Sequence, residues 1–174
     1  MKTLYIERST GESRDGDWAE GLDLEGVERI VVGTGPGSFA GIRSALAFAQ
    51  GYALATHCEV LGLPSACALA GEGHIAVIGD ARQGNAWVAL FDGYRLEKDV
   101  FQVDQGELKG SVPVEYGVVT PDAKRIDGLL KEAFGERHLG GRAPTSEGLR
   151  RFAEACPSIL KPEPLPIYLN PAVR

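Results

Sequence analysis

A glycine-rich turn is the part of this chain whose residue types and spacing come closest to a ligand site. Residues 33–43 read GTGPGSFAGIR and lie between a short apolar segment, 29–32, and a long helical segment, 41–55. A turn of this kind gathers backbone N–H groups at the start of a helix, where they can hold a phosphate or another anion. The candidate anion-binding residues are Gly35, Gly37 and Ser38.

The spacing inside this turn differs from that of the best-known nucleotide loops. A Walker A loop has Lys and then Ser or Thr after its last glycine, whereas Gly41 is followed by Ile42 and Arg43. A dinucleotide fingerprint needs a third glycine where Ser38 stands. Two interpretations therefore stay open, an anion site and a tight strand-to-helix turn that binds nothing.

The helix predicted at 41–55 lacks an ordinary solvent face. At about 100° per residue, one side carries larger apolar side chains and another carries a strip of small residues. Arg43 and Gln50 are its plainly polar residues, so a broad charged face is missing. The pattern predicts a helix covered on nearly all sides. Either the chain's own core or a partner would supply that cover.

Four segments, in order along the chain, resemble the bacterial TsaB (YeaZ) family. The most specific is GPGSFAGIR at 35–43, followed by an Ala- and Gly-rich helix through Ala55. IGDARQGNAW at 78–87 resembles the family's Asp-Ala-Arg strand–turn–strand segment, and PIYL at 166–169 resembles its C-terminal ending. LYIERST at 4–10 resembles a changed version of its opening strand.

This resemblance implies an α/β fold of the actin-like ATPase or RNase H-like type with two lobes. It also implies a non-catalytic accessory subunit in the synthesis of threonylcarbamoyladenosine (t6A), a modified base of tRNA. Such a subunit docks a TsaD-type subunit, which carries the metal, the nucleotide and the transfer chemistry. A TsaE-type ATPase would act through the complex, and tRNA would be contacted only indirectly.

The resemblance places the docking surface on the helix at 41–55 and its first residues. The residues expected to bind the partner are Phe39, Ile42, Arg43, Ala47, Phe48, Gln50, Gly51 and Leu54. No catalytic residue, metal ligand or bound ATP or ADP is expected of this chain.

Two departures from the family affect these expectations. The family has a three-stranded meander and a helix before the glycine-rich turn, and the segment 11–28 is too short to contain them. The N-terminal lobe is therefore predicted to be trimmed. In the family, the missing helix lies beside the helix at 41–55 and forms part of the docking interface. Glu7 and Arg8 stand where the wider superfamily keeps an Asp near metal and phosphate, so ATP hydrolysis is not expected.

Composition limits the possible partners and location. The 174 residues are expected to form two lobes, 1–72 and 73–174, the second ending in a proline-rich arm. The net charge of −6 and the interrupted basic residues disfavour RNA binding by this chain alone. Three cysteines, without a Cys-x-x-Cys spacing, indicate the reducing cytoplasm, and no apolar run is long enough to span a membrane.

Two alternatives to the accessory role come from other functional classes. One is a small nucleotide- or anion-binding enzyme of the actin-like superfamily, using the turn at 35–41 with Arg43 or Arg82. The other is a homodimeric scaffold that pairs through the helix at 41–55 and has lost the partnership. Asp80 and Arg82, at the end of a predicted strand, are either part of a site or an ion pair that shapes a hairpin.

Overall fold

The computed structural model describes residues 1–10 and 19–169. Two compact units divide the chain, the first formed by Met1–Ala68 with Pro144–Ile167 and the second chiefly by Leu69–Ala143. The predicted α/β class is confirmed, since both units combine β-strands with helices.

The two units differ from the predicted lobes in one respect. The predicted boundary after residue 72 lies close to the observed division, but residues 144–167 group with the first unit. The physical reason is that the helix Ser146–Ala155 packs on the first strand, while Lys161–Pro162 adds a strand to the same sheet.

The first unit is built on a four-stranded sheet in the order β1, β2, β3, β10. Its strands are β1 (Lys2–Ile6), β2 (Val27–Gly33), β3 (Glu59–Leu63) and β10 (Lys161–Pro162). The first three run parallel and β10 is antiparallel to β3. The alternating apolar residues of β2 place Ile30 and Val32 in the same buried cluster as Ile42 and Leu46 of the following helix.

That helix, α1 (Phe39–Thr56), is the longest of the described residues. A 3₁₀ helix, Ser65–Leu69, follows β3. A second α-helix of this unit, Ser146–Ala155, begins at Thr145, whose hydroxyl caps it by accepting the N–H of Gly148 at 3.0 Å.

The N-terminal segment agrees with a trimmed lobe. β1 pairs directly with β2, from Lys2 opposite Val27 to Ile6 opposite Val32. Residues 19–26, which lead into β2, contain turns and neither a strand nor a helix. Residues 11–18 of the shortened segment lie outside the described residues.

The second unit contains a mixed sheet in the order β6, β5, β4, β8, β9, and β7 also pairs with β5. The strands are β4 (His74–Arg82), β5 (Asn85–Asp92), β6 (Arg95–Leu96), β7 (Phe101–Asp104), β8 (Gly117–Thr120) and β9 (His138–Gly141). Its helices are α2 (Leu108–Ser111) and α3 (Ala123–Phe134), and Ser146–Ala155 is therefore α4. The carboxyl ends of the parallel strands β4, β8 and β9 meet at one edge of this sheet.

Candidate functional site

The glycine-rich turn is anchored to the 3₁₀ helix that follows β3. The N–H of Gly35 donates to Ser65 Oγ at 2.9 Å, and the N–H of Ser65 donates to the carbonyl of Gly35 at 2.8 Å. Gly35 has a φ of +92°, a conformation open to glycine but costly for other residues. These paired hydrogen bonds fix the direction in which the chain enters α1.

The second half of the turn lies against the segment after β1. The N–H of Ser38 donates to the carbonyl of Ser9 at 2.6 Å. A Cβ on Gly37 would lie 2.2 Å from that same carbonyl oxygen, so this close approach requires glycine. Ser38 also caps α1, because its hydroxyl accepts the N–H of Gly41 at 3.3 Å.

The carboxyl group of Glu7 lies beneath this turn. Its Oε1 accepts the N–H of Ser9 at 2.6 Å, and its Oε2 is buried where a Cβ on Gly33 would be, 1.9 Å away. Burial raises the pKa of Glu7, although hydrogen bonds from Ser9 and Ser65 oppose that rise. An anion entering this turn would meet a buried acid.

The candidate anion-binding residues are therefore brought together, but much of their capacity to donate hydrogen bonds is used by contacts within the chain. Gly35 and Ser38 both direct their N–H groups to oxygens of the protein. Gly37 packs on the backbone of Ser9. The anion site remains a prediction, and its ligand would have to displace these internal contacts.

One side of α1 is buried in the core of the first unit and the other is exposed. The buried residues are Gly41, Ile42, Ala45, Leu46 and Ala49. The exposed side, here named the α1 face, contains Phe39, Ala40, Arg43, Ser44, Ala47, Gln50, Gly51, Leu54 and Ala55. Since half of α1 is exposed, it is not a central core helix.

The residues predicted to bind a partner divide between these two sides. Six of them belong to the α1 face: Phe39, Arg43, Ala47, Gln50, Gly51 and Leu54. Phe48 is half-buried and stacks on Tyr52, with ring centroids 6.4 Å apart. The expectation for Ile42 is corrected, because this side chain is 3% exposed and packs in the core of the unit.

The α1 face is unusual for a surface in contact with water. Its middle carries Ala47 and Gly51, and its ends carry the large apolar side chains of Phe39 and Leu54, which are 55% and 84% exposed. Arg43 is the charged residue of the face, and its guanidinium lies 4.8 Å from the centroid of the Phe39 ring. An exposed strip of small residues lets another backbone approach the helix closely.

A groove of about 500 Å³ continues from the end of this face. It runs between the second half of α1 and the proline-rich arm, and Leu54 belongs to both surfaces. The residues lining it are Gln50, Ala53, Leu54, His57, Cys58, Val60, Glu163, Pro164 and Leu165. Leu165 is 77% exposed at its edge, so the apolar surface extends beyond the helix.

The second unit contains the other predicted pair, Asp80 and Arg82, in the hairpin between β4 and β5. Arg82 donates its backbone N–H to Asp80 Oδ1 at 2.9 Å, and its Nη1 lies 3.7 Å from Asp80 Oδ2. The pair therefore shapes the hairpin, as one of the two interpretations expected. Asp122 and Arg125 of the α3 segment also reach Asp80, which the sequence did not indicate.

Among the described residues, other side chains that could bind a metal or act as a nucleophile do not form a site. Within residues 1–10 and 19–169, no three His, Cys, Asp or Glu side chains are placed to hold a metal ion. Cys67 is buried, and burial raises the pKa of its thiol well above the ordinary value. No helix of the described residues is both long and apolar enough to cross a bilayer.

Comparison with known proteins assigns the chain to a family. The family model described as TsaD, tRNA N6-adenosine threonylcarbamoyltransferase, matches residues 19–140, which is more than half of the chain. The chain belongs to the TsaD family. Its match to curated proteins is shorter: uncharacterized proteins of Mycobacterium bovis and Mycobacterium tuberculosis are 36% identical over 77 residues. That match spans 42% of this chain and only 36% of the length of those relatives.

Two solved structures from Pseudomonas aeruginosa share the fold of this TsaD-family chain. One is an uncharacterized protein with similarity to peptidase YEAZ, with a TM-score of 0.72 and 20% identity, covering 98% of this chain and 100% of that one. The other is YeaZ, with a TM-score of 0.66 and 22% identity, covering 85% of this chain and 77% of that one. The resemblance to the TsaB (YeaZ) family and the predicted fold are thus confirmed.

Proposed function

We propose that this chain is a non-catalytic partner subunit in the synthesis of t6A in tRNA. In this proposal it docks a TsaD-type threonylcarbamoyltransferase through the α1 face. Membership of the TsaD family supports a role related to t6A. The observation that carries the docking proposal is the exposed α1 face, with large apolar side chains at both ends and small residues between them.

Coverage by another protein would remove the exposed apolar side chains of the α1 face from water, which is energetically favourable. Fully burying a large apolar side chain contributes about 1.5–3 kcal/mol, and Phe39 and Leu54 are both largely exposed. Ala47 and Gly51 between them allow a partner helix to pack closely, because interaxial distance depends on the side chains at the contact. Arg43 supplies a charge at the rim that can select the partner.

The glycine-rich turn also supports an accessory role over an enzymatic one. Two of the N–H groups that could bind a phosphate already donate to Ser9 and Ser65, and the Glu7 carboxyl lies below them. We therefore assign the nucleotide and transfer chemistry to the TsaD-type subunit, with a TsaE-type ATPase acting through the complex. This chain holds the TsaD-type subunit in a productive arrangement.

The test is co-purification with the TsaD-type subunit of the same organism, followed by size-exclusion chromatography with light scattering. We expect a defined complex that raises tRNA threonylcarbamoylation. Ala47→Arg should abolish this complex, because a long charged side chain at the middle of the face prevents close packing. Ala155→Arg, at an exposed position on α4, is the matched control and should leave the complex intact.

Three results would contradict the proposal. Unfolding of the isolated Ala47→Arg variant would mean that the α1 face is core. A complex that tolerates Ala47→Arg would place the contact elsewhere. A stable homodimer that does not bind the TsaD-type subunit would favour the alternative of a scaffold that kept the surface and lost the partnership.

A further inference from the structure

Two arginines converge on one partly buried carboxylate, that of Asp80, at the edge of the sheet in the second unit. Asp80 lies near the end of β4 and donates its N–H to Asp122 Oδ2 at 2.9 Å. Its own Oδ2 lies 3.4 Å from Arg125 Nη1 and 3.7 Å from Arg82 Nη1. The Asp80 side chain is only 11% exposed, so its carboxylate pairs with both guanidinium groups on the side that faces the protein.

About half or more of each of the two arginine side chains is exposed to a ligand. The side chains of Arg82 and Arg125 are 60% and 49% exposed. A guanidinium carries five N–H donors in a planar fork, and each of these forks directs one nitrogen towards Asp80. Such forks match the oxygens of a phosphate in pairs, which a point charge cannot do.

Further basic residues lie beside this pair. The N–H of Arg142 donates to the carbonyl of Thr120 at 2.8 Å, and a Cβ on Gly141 would lie 2.7 Å from that of Ala123. Arg142 is thereby placed next to the start of α3, where Lys124 is also exposed. Four basic residues thus share an edge with two acids, in a chain whose net charge is −6.

We propose that Arg82 and Arg125, flanked by Lys124 and Arg142, bind phosphate groups of an RNA. This inference rests on the proposed function for its choice of tRNA as the ligand. Several cations spread along one edge suit the repeated phosphates of a nucleic acid backbone better than a single small anion. The acidic charge of the whole chain disfavours tight binding alone, so this edge adds a contact to tRNA that the TsaD-type subunit holds.

The test compares tRNA binding by the reconstituted complex with the TsaD-type subunit at several salt concentrations. The probe is an unmodified tRNA transcript, and the variant is Arg82→Gln with Arg125→Gln. Arg95→Gln with Lys98→Gln is the matched control, because it removes two exposed positive charges from another part of the same unit. Complex formation is measured in the same samples.

The expected result is that Arg82→Gln with Arg125→Gln binds the tRNA about tenfold more weakly, with a salt slope reduced by about two. The control pair should behave like the wild type, and both variants should still form the complex. Equal tRNA binding by all three proteins, or an equal loss in the control, would overturn the proposal. Displacement of the tRNA by ATP or inorganic phosphate at low concentrations would also overturn it, since a free-phosphate site would then be present.

Failure of the proposed function would be seen separately. If the wild-type chain does not co-purify with the TsaD-type subunit, the same comparison is made on the chain alone at about 50 mM salt, where phosphate contacts are strongest. If only the Arg82→Gln with Arg125→Gln variant binds tRNA more weakly than the wild type, and the control pair does not, the phosphate-binding edge is still supported. At this low salt concentration the wild-type chain alone is expected to bind tRNA weakly but measurably, and no measurable binding there would refute the phosphate-binding edge.

Discussion

Truncation of Leu54 is the sharpest quantitative test of the α1 face. This side chain is 84% exposed in the chain by itself, and it lies where the face meets the groove beside the proline-rich arm. If the partner covers it fully, burial contributes about 1.5–3 kcal/mol. Leu54→Ala removes most of that contribution, so the dissociation constant should rise by about 10- to 150-fold.

The same substitution should leave the isolated chain almost unchanged. An exposed side chain contributes little to folding, and surface substitutions usually alter stability by less than about 0.5 kcal/mol. Val114 offers a matched control, because it is 83% exposed and lies in the second unit. Val114→Ala should alter neither stability nor affinity.

The assay is isothermal titration calorimetry with the TsaD-type subunit, preceded by urea unfolding of each variant alone. The proposed contact at Leu54 is refuted if Leu54→Ala binds with the affinity of the wild type, because a large apolar side chain that a partner buries cannot be removed without cost. It is also refuted if Val114→Ala weakens binding equally. A large loss of stability in isolated Leu54→Ala would show that this side chain packs within the chain itself and is not available to a partner.

Two further predictions concern stability. Gly79→Ala should lower the free energy of unfolding by about 1–3 kcal/mol, because the new Cβ would lie 2.1 Å from the ring of Trp87 on the paired strand. Urea denaturation measures this change, and unchanged stability would contradict the close packing of Gly79 on Trp87. Glu7→Gln should stabilise the chain at pH 7. The raised pKa of Glu7 means that the folded state binds its proton more tightly than the unfolded chain, so wild-type stability falls as the pH rises through the ordinary carboxyl range. The advantage of Glu7→Gln should vanish below about pH 4 in thermal melts, and a variant less stable than wild type at pH 7 would show that an ionised Glu7 supports the turn.

The sequence predicted best the features that depend on nearby residues. The strand, the turn and the start of α1 follow from local chemistry, since β2 contains the apolar run 30–32, the turn contains glycines and Ser38 caps the helix. Helix α3 likewise follows from its own residues, because Ile126, Leu130 and Phe134 recur at helical spacing and are buried.

The features that the sequence missed depend on distant pairings. β10 joins the first sheet at Gly62, where Pro164 packs so closely that a Cβ on the glycine would lie 2.6 Å from the Pro164 Cβ. Nothing near residue 161 in the sequence indicates that partner strand. Asp122 and Arg125 similarly reach Asp80 only because β4 and β8 are neighbours in the sheet.

The exposure of the α1 face was also beyond the sequence. The pattern indicated that nearly every side of the helix would be covered, but not which cover the chain itself provides. The structure separates the two sources, because the side with Ile42 and Leu46 packs on β2 while the side with Ala47 and Gly51 is exposed. A helix with two apolar sides and one sheet to pack on leaves the other side exposed, and this is the side that the proposed partner would cover.

The glycines of the turn have a structural use that links the site to this exposed face. Backbone that could approach a phosphate closely can also approach other parts of the chain closely, and here Gly33 packs on Glu7 and Gly37 on Ser9. The same hydrogen bonds that occupy Gly35 and Ser38 fix where α1 begins. Because the turn sets the position of α1, residues that resemble a nucleotide loop can instead fix the position of the helix that is proposed to dock the partner. Substitutions at Gly37 should therefore affect partner binding through the position of α1, even though Gly37 lies outside the α1 face.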